Sequence, residues 1–401
     1  MKFAITTLGC KVNQYDSQRI KEALYGLGHE EQEFSVPGAD CYIINTCCVT
    51  HRSDADGRKL IRQALRSGGR VIATGCQAVV YPDDIELLSD QVEVIPPEEI
   101  ARCLGAVLPP GISGFERHSR AFVKVQSGCS NFCTYCIVPY ARGKPWSRAW
   151  EDIVAEINML GRCGYNEVVI CGINIGLYEG GLAALIRKIL EQTSIPRVRI
   201  SSVEPWTVND ELIEVVRTEP RVCKHLHLPL QSGSDMILAE MGRPYTAGYY
   251  RDLIHKVRAA SPDIAIGSDI MAGFPGEDQA CFEETCTLLE SSDITYLHVF
   301  PYSARPKTPA AAYSDQVDAA TKRDRAGILR NLSRKKRELF VRSQLGSAGD
   351  IIVTHTDSNS FSGITSNYLR VLIPGSASMN DLARVCLTGY ADGIIHGRAC
   401  G

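Results

Sequence analysis

Cys129-Ser-Asn-Phe-Cys133-Thr-Tyr-Cys136 sets three thiols in one tight stretch, directly after a strand-like run from Ala121 to Gln126. Three thiolates at this spacing suit three irons of a [4Fe–4S] cube and leave the fourth iron open. An open iron is a place for a substrate or cofactor, so the loop reads as catalytic rather than as an electron wire. A structural zinc site closes its shell with a fourth Cys or His nearby. Here the first histidines downstream are His225 and His227, too far along the chain to belong to the same turn.

Working outward, the segment from Ser119 to Leu339 runs through strand-like stretches that each end in a polar or glycine-rich motif. After Cys129 these are Gly172-Ile-Asn174, Ser201-Ser-Val-Glu204, Leu230-Gln-Ser-Gly233, Gly273-Phe-Pro-Gly-Glu277 and Pro301-Tyr-Ser-Ala-Arg305. Six such strands predict an open (β/α)6 barrel, whose site is built from loops at the C-terminal ends of its strands. Between Thr321 and Arg342 the chain turns basic, a pattern that serves either a solvated helix face or RNA phosphates.

The first hundred residues alternate apolar runs (Phe3–Thr7, Cys41–Asn45, Val71–Thr74, Val92–Ile95) with helix-like stretches such as Ser17–Gly28 and Lys59–Ser67. That alternation predicts a flavodoxin-like parallel sheet with helices on both faces. Cys10, Cys47 and Cys76 follow the first three strands in Leu-Gly-Cys, Asn-Thr-Cys and Thr-Gly-Cys. Open α/β sheets bind ligands at the carboxyl ends of their strands, so these thiols are candidate ligands of a second iron–sulfur cluster. The last unit, from about Ser343, has short β-branched runs at Asp350–His355, Tyr368–Ile373 and Arg384–Thr388, punctuated by glycines, and reads as a small all-β barrel. The expected domains are 1–115, 116–340 and 341–401 of an α/β multidomain chain.

The 401 residues carry 16 cysteines and a formal net charge of −3, so any RNA surface must be a local patch rather than a global field. The cysteines do not make a small secreted disulfide scaffold; in a reducing compartment they read as metal ligands plus core thiols. No segment approaches the ~18 consecutive apolar residues of a membrane span, and Met-Lys-Phe-Ala-Ile-Thr-Thr lacks a signal-peptide core. A cytoplasmic location with no membrane partner is expected.

Cys-x3-Cys-x2-Cys with an aromatic before the last Cys resembles the cluster loop of the radical S-adenosylmethionine (SAM) enzymes. That resemblance implies a [4Fe–4S] cluster on Cys129, Cys133 and Cys136 whose open iron binds SAM and generates a 5′-deoxyadenosyl radical. Tyr135 matches the adenine-side aromatic; Gly172, Asn174 and Glu204 are the further candidate SAM contacts. The last unit resembles the TRAM module, through Gly363-Ile-Thr-Ser-Asn-Tyr-Leu-Arg-Val371 and Thr388-Gly-Tyr-Ala-Asp-Gly-Ile-Ile-His-Gly397. The order of the three units, together with Asn45-Thr-Cys47, Pro139-Tyr-Ala-Arg-Gly143, His227-Leu-Pro-Leu-Gln-Ser-Gly233 and Gly267–Glu277, resembles the radical SAM methylthiotransferases along nearly the whole chain. The opening Thr7-Leu-Gly-Cys-Lys-Val-Asn-Gln-Tyr-Asp-Ser17 is most similar to the branch acting on N6-threonylcarbamoyladenosine of bacterial tRNA.

The resemblance implies two [4Fe–4S] clusters, the second on Cys10, Cys47 and Cys76, with SAM as both methyl and radical source. The implied product is the 2-methylthio derivative of the adenosine 3′ of the anticodon. Implied partners are a tRNA anticodon stem-loop, a reductant such as flavodoxin or ferredoxin, and a sulfur source. Arg142, Arg148 and Lys307 are candidate phosphate contacts. The alternative substrates are isopentenyladenosine in tRNA or a ribosomal-protein aspartate; an iron–sulfur RNA-binding sensor would leave the SAM-type loop unexplained. Two positions depart from the family pattern: Cys48 beside Cys47, and Lys307 where glycine is usual. The remaining cysteines, Cys171 among them, read as core.

Overall fold

A computed structural model describes residues 1–115 and 118–400; the expected boundary between 115 and 116 borders residues outside that description. Five parallel strands open the chain: β1 (Lys2–Thr7), β2 (Glu30–Glu31), β3 (Cys41–Thr46), β4 (Arg70–Gly75) and β5 (Val92–Val94), in the order β2-β1-β3-β4-β5. This is the doubly wound, flavodoxin-like order. Every residue of β3 is buried, as a central strand covered on both faces requires. The helices Lys11–Gly26 and His51–Ser67 start earlier than the sequence predicts. Their polar first turns pack inward: Asn13 and Asp54 are buried, and Thr50 caps the second helix by accepting from the Ser53 backbone N–H.

The middle unit contains β6 (Ala121–Lys124), a short ribbon of β7 (Gln126–Ser127) and β8 (Trp146–Ser147), then β9 (Glu167–Cys171), β10 (Arg197–Ile200), β11 (His225–His227), β12 (Ala265–Ala272) and β13 (Tyr296–Pro301). Strands β6, β9 and β10 form one parallel sheet and β11, β12 and β13 another. Single bridges join them at Val198–Val222 and Ser202–His227, and Val203 N donates to His227 O at 2.9 Å. The result is the expected six-stranded curved wall, with no pairing between β6 and β13 among the described residues.

The N-terminal domain lies across that open seam. On the β6 side Asp16 pairs with Lys124 and, at 2.8 Å, with Arg142. On the β13 side Arg305 pairs with Asp54 at 2.6 Å, Tyr81 donates to Pro306 O at 2.8 Å, and Lys307 donates to Val80 O at 2.6 Å.

The helix Ala319–Gln344 leads to a closed barrel of β14 (Ala348–Thr356), β15 (Ser360–Thr365), β16 (Arg370–Pro374), β17 (Leu382–Ala391) and β18 (Ile394–Ala399), ordered β14-β15-β16-β18-β17. Two of these strands, β15 and β18, escape the sequence reading because Ser and Gly interrupt their apolar runs. The turn between β15 and β16 corks the N-terminal end of the larger barrel. Thr365 O and Ser366 O each accept from Arg199 at 3.0 Å, and Tyr368 stacks on His225 with ring centroids 4.5 Å apart. Among the described residues no helix is long and apolar enough to cross a membrane.

Candidate active site

The ribbon of β7 and β8 clasps the base of the cysteine loop. Gly128 (φ +78°) enters it against the Lys144 carbonyl, where a Cβ would collide with backbone. Phe132 sits at φ +45°, a left-handed conformation that wraps the chain so that Cys129, Cys133 and Cys136 share one short loop. Two ties pin this loop to the barrel: Thr134 N donates to Met241 O at 3.0 Å, and Asn174 Nδ2 lies 3.9 Å from Cys129 Sγ. Burial pushes the Cys136 thiol up to about 12 and raises that of Cys133, which the nearby Arg243 guanidinium partly opposes.

Arg243 has no recognisable spacing signature, and sequence reasoning missed it. It is buried, its Nη1 is 3.4 Å from Cys133 Sγ and 3.5 Å from the Tyr135 hydroxyl, and it forms an ion pair with Glu204. Of the candidate cofactor contacts, Tyr135, Asn174 and Glu204 thus gather around the cysteine loop. Asn174 Oδ1 is buried with no partner, an acceptor left for a ligand. At Gly172 a Cβ would meet Gln126 O and Ile175 Cγ2 at 2.8 Å, so internal packing requires the absence of a side chain there. A sulfur-only donor set, one buried cation and an unpaired acceptor fit an iron–sulfur cluster with a polar cofactor beside it.

The second cysteine set assembles as expected at the strand ends. Asn13 stands at its centre, its Oδ1 4.0 Å from Cys10 Sγ and 3.8 Å from Cys76 Sγ. Its Nδ2 donates to Leu8 O at 2.9 Å and Thr46 O at 3.0 Å, which fixes the amide's orientation. Gly9 (φ +100°) packs its backbone against Cys47, with the Cβ position 2.9 Å from Cys47 Sγ. The positive end of the helix Lys11–Gly26 and the Arg142 guanidinium both face this group, as thiolate ligands require. Burial nevertheless raises the bare Cys76 thiol to about 11. Cys48 is buried in an apolar cluster with Val80, Ile137 and Ala141 that also includes Cys76. The three thiols and their cationic surroundings fit a second cluster.

Two of the three candidate phosphate contacts, Arg142 and Arg148, require correction. Arg142 bonds Asp16 and Asn13, and only 8% of its side chain is exposed. Arg148 donates to Glu156 Oε2 at 2.6 Å and to the Tyr15 hydroxyl at 2.9 Å, with 9% of its side chain exposed. Lys307 (φ +72°) occupies a left-handed turn that explains the usual glycine, and its ammonium is tied to Val80 O. All three make contacts between domains; the two arginines are withdrawn from solvent, whereas Lys307 remains an exposed residue.

Beside Cys10 lies a cavity of about 450 Å³ walled by all three units: Cys10 and Lys11 from the first, residues of β6 and β9–β13 from the second, and Tyr368 from the last. On one wall Asp269 Oδ1 receives His227 Nε2 at 2.9 Å and His298 Nδ1 at 3.3 Å. Burial works to raise that carboxyl, but the two imidazoles hold it below the usual carboxylate range. A larger hollow of about 650 Å³ beside Leu60, Gln63 and Phe34 contains none of the cysteines.

Residues 123–289 match the family model of the radical SAM superfamily, and residues 2–96 match uncharacterized protein family UPF0004. The chain is 35% identical to the threonylcarbamoyladenosine tRNA methylthiotransferase MtaB of Bacillus subtilis, covering 94% of this chain and 91% of that one. It is 34% identical to the MtaB of Aquifex aeolicus, over 96% and 100%. A tRNA-2-methylthio-N(6)-dimethylallyladenosine synthase of Maricaulis maris is 36% identical over 85% of this chain and 84% of its own. Among solved structures, the radical SAM methyltransferase TsrM of Kitasatospora setae superimposes with a TM-score of 0.57 at 14% identity, covering 77% of each chain. The cobalamin-dependent radical SAM enzyme OxsB gives 0.55 at 10% identity over 83% of this chain and 57% of its own. Those two likenesses concern the fold; the extended sequence identity carries further, and by it the chain belongs to the radical SAM methylthiotransferase family.

Proposed function

We propose that this enzyme converts N6-threonylcarbamoyladenosine, 3′ of the anticodon in tRNA, to its 2-methylthio derivative. The observation that carries the reading is the linkage of the two three-thiol sets: the helix Val138–Arg142 begins just after Cys136, and its Arg142 bonds Asn13, which stands between Cys10 and Cys76. In this reading Cys129, Cys133 and Cys136 hold one [4Fe–4S] cluster and Cys10, Cys47 and Cys76 the other, and Tyr135, Asn174 and Glu204 border the SAM position. When bound, these groups supply a carbon-centred radical and a methylated sulfur, the two reagents needed at an adenine C2–H that is neither acidic nor electrophilic.

The chain's own residues aim and enclose that chemistry. Arg243 sets a fixed positive charge beside Cys133 and orients Glu204 toward the loop. Asn13 and Arg142 hold the second cysteine set in register with the first, since the helix Val138–Arg142 starts two residues after Cys136 and ends on Asn13. The cork from the C-terminal barrel closes the far end against water. A target base must be splayed from its loop to enter, as RNA recognition generally requires. With Arg142 and Arg148 engaged internally, the phosphate grip falls to Lys307 and the exposed cations of the helix Ala319–Gln344: Arg323, Arg330, Arg334, Lys335 and Arg337. The C-terminal barrel, read as a TRAM module, adds a further RNA surface. A flavodoxin or ferredoxin as reductant and a separate sulfur source complete the scheme. A reducing cytoplasm suits sixteen cysteines that are all free.

Nucleoside mass spectrometry of tRNA from a strain with and without the gene tests this. Loss of the methylthio-threonylcarbamoyl nucleoside alone is expected. Loss of the methylthio-isopentenyl nucleoside instead moves the substrate, and no change in either excludes tRNA.

A further inference from the structure

The cavity's charges are unevenly paired. Beneath its floor the fully buried Glu167 takes Arg197 and Arg199 at 2.7 Å each, and Arg120 at a longer 3.6 Å. One carboxylate therefore faces three guanidiniums. Arg199 is satisfied, because it also donates to the carbonyls of Thr365 and Ser366. Arg120 has only its outer nitrogen near a carboxylate that already has two closer partners, and 19% of its side chain remains exposed. Across the same wall Lys11 lies with Nζ 6.0 Å from the Phe122 ring, and no carboxylate among the described residues pairs with it. Arg120 immediately precedes β6, two residues before Phe122, and both line the cavity with Lys11, whose ammonium lies over the Phe122 ring. The opposite wall offers Asp269, but His227 and His298 already share it. The open cavity thus has two cations with spare donors and no free anion.

We infer that Lys11 and Arg120 form a carboxylate-binding subsite that selects an adenosine whose N6 substituent is anionic. This rests on the function proposed above and goes beyond it by naming the residues that distinguish substrates. The threonylcarbamoyl group ends in a carboxylate and a hydroxyl; an isopentenyl group has neither. A substituent without charge would leave Lys11 and Arg120 desolvated and unpaired when it enters, and sites built around polar contacts reject such analogues strongly. The Phe122 ring packs against the aliphatic part of the substituent, and the serines at 201 and 202 line the same space.

The test uses the full chain with both clusters reconstituted and three anticodon stem-loops, bearing threonylcarbamoyladenosine, its carboxylate methyl ester, or isopentenyladenosine. Binding is measured by fluorescence anisotropy and turnover by nucleoside mass spectrometry. Lys11→Gln and Arg120→Gln are each expected to weaken binding of the acid by about ten- to a hundredfold, the range of a charge-assisted hydrogen bond. They should change ester binding by less than about threefold, and Lys11→Arg should recover most of the acid's affinity. Iron content is measured alongside, because Lys11 adjoins Cys10; Arg120 is remote from every cysteine ligand in sequence. Equal losses for acid and ester, or a wild-type acid-to-ester affinity ratio near one, overturn the subsite. A wild-type enzyme that binds the acid selectively but methylthiolates neither adenosine overturns the proposed function while leaving the subsite standing.

Discussion

Cys47 and Cys48 are chemically identical neighbours with different surroundings. Cys47 rests on the Gly9 backbone, whereas Cys48 is fully buried beside Cys76, Val80, Ile137 and Ala141. Cys47→Ala is expected to lower reconstituted iron by about half, one of two proposed four-iron clusters. Cys48→Ala should leave iron content intact and lower stability by about 1 kcal/mol, the order of a small buried truncation. Iron assay and urea unfolding on the same preparations check both. The six proposed ligand positions stand out in the sequence because each is tied to a local signal: a strand end or a tight Cys spacing. Arg142 and Arg148 were misread for the complementary reason. A sequence displays a charge but not its partner, and Asp16 and Glu156 come to them from distant parts of the chain. Arg243 was invisible on the same ground, since only the packing of its turn on the cysteine loop gives it meaning.

At the scale of elements, β9 and β10 carry the Glu167 network as part of their inner faces. The fully buried carboxylate on β9 pairs with both arginines of the neighbouring β10. Burial alone would raise the Glu167 pKa, but Arg199 and Arg197 hold it at about 2, below its ordinary 4.5. A depressed carboxyl stabilises the fold above the ordinary value and loses that contribution as pH falls toward the depressed one. The shift corresponds to about 3 kcal/mol. Glu167→Gln should destabilise the protein by about 3–5 kcal/mol at neutral pH, because the arginines stay buried without their counter-charge. Urea midpoints taken from pH 6 down to pH 3 should fall more steeply for the wild type than for the variant; parallel curves would show that the network is not anionic. The strands themselves were readable from their apolar runs and terminal motifs. The helix Lys11–Gly26 was read as starting late because Asn13, Gln14 and Asp16 look like loop residues, although Asn13 is buried by its neighbours.

For the whole molecule, the order of the three units was legible, but their mutual arrangement was not. Contacts between domains follow no local period, so nothing in the sequence announces that the C-terminal barrel corks the larger one. That contact is extensive: Arg197 and Arg199 bond carbonyls of β15 and the turn after it, and Phe340 and Val341 share an apolar cluster with Ala265 and the small barrel. A chain ending at Gln344 should therefore melt at least about 5 °C lower and bind a hydrophobic dye, in addition to losing RNA affinity. An unchanged melting temperature would mark the small barrel as an independent appendage.

The seam between β6 and β13 has an architectural consequence. A closed ring of eight strands has its interior sealed laterally and leaves only its ends for access. Stopping two strands short leaves a doorway in the wall, and here a separate sheet domain stands in that doorway, held by ion pairs and hydrogen bonds on both jambs. The second cysteine set is thereby held in place by contacts on both edges of the opening and not by the connecting chain alone.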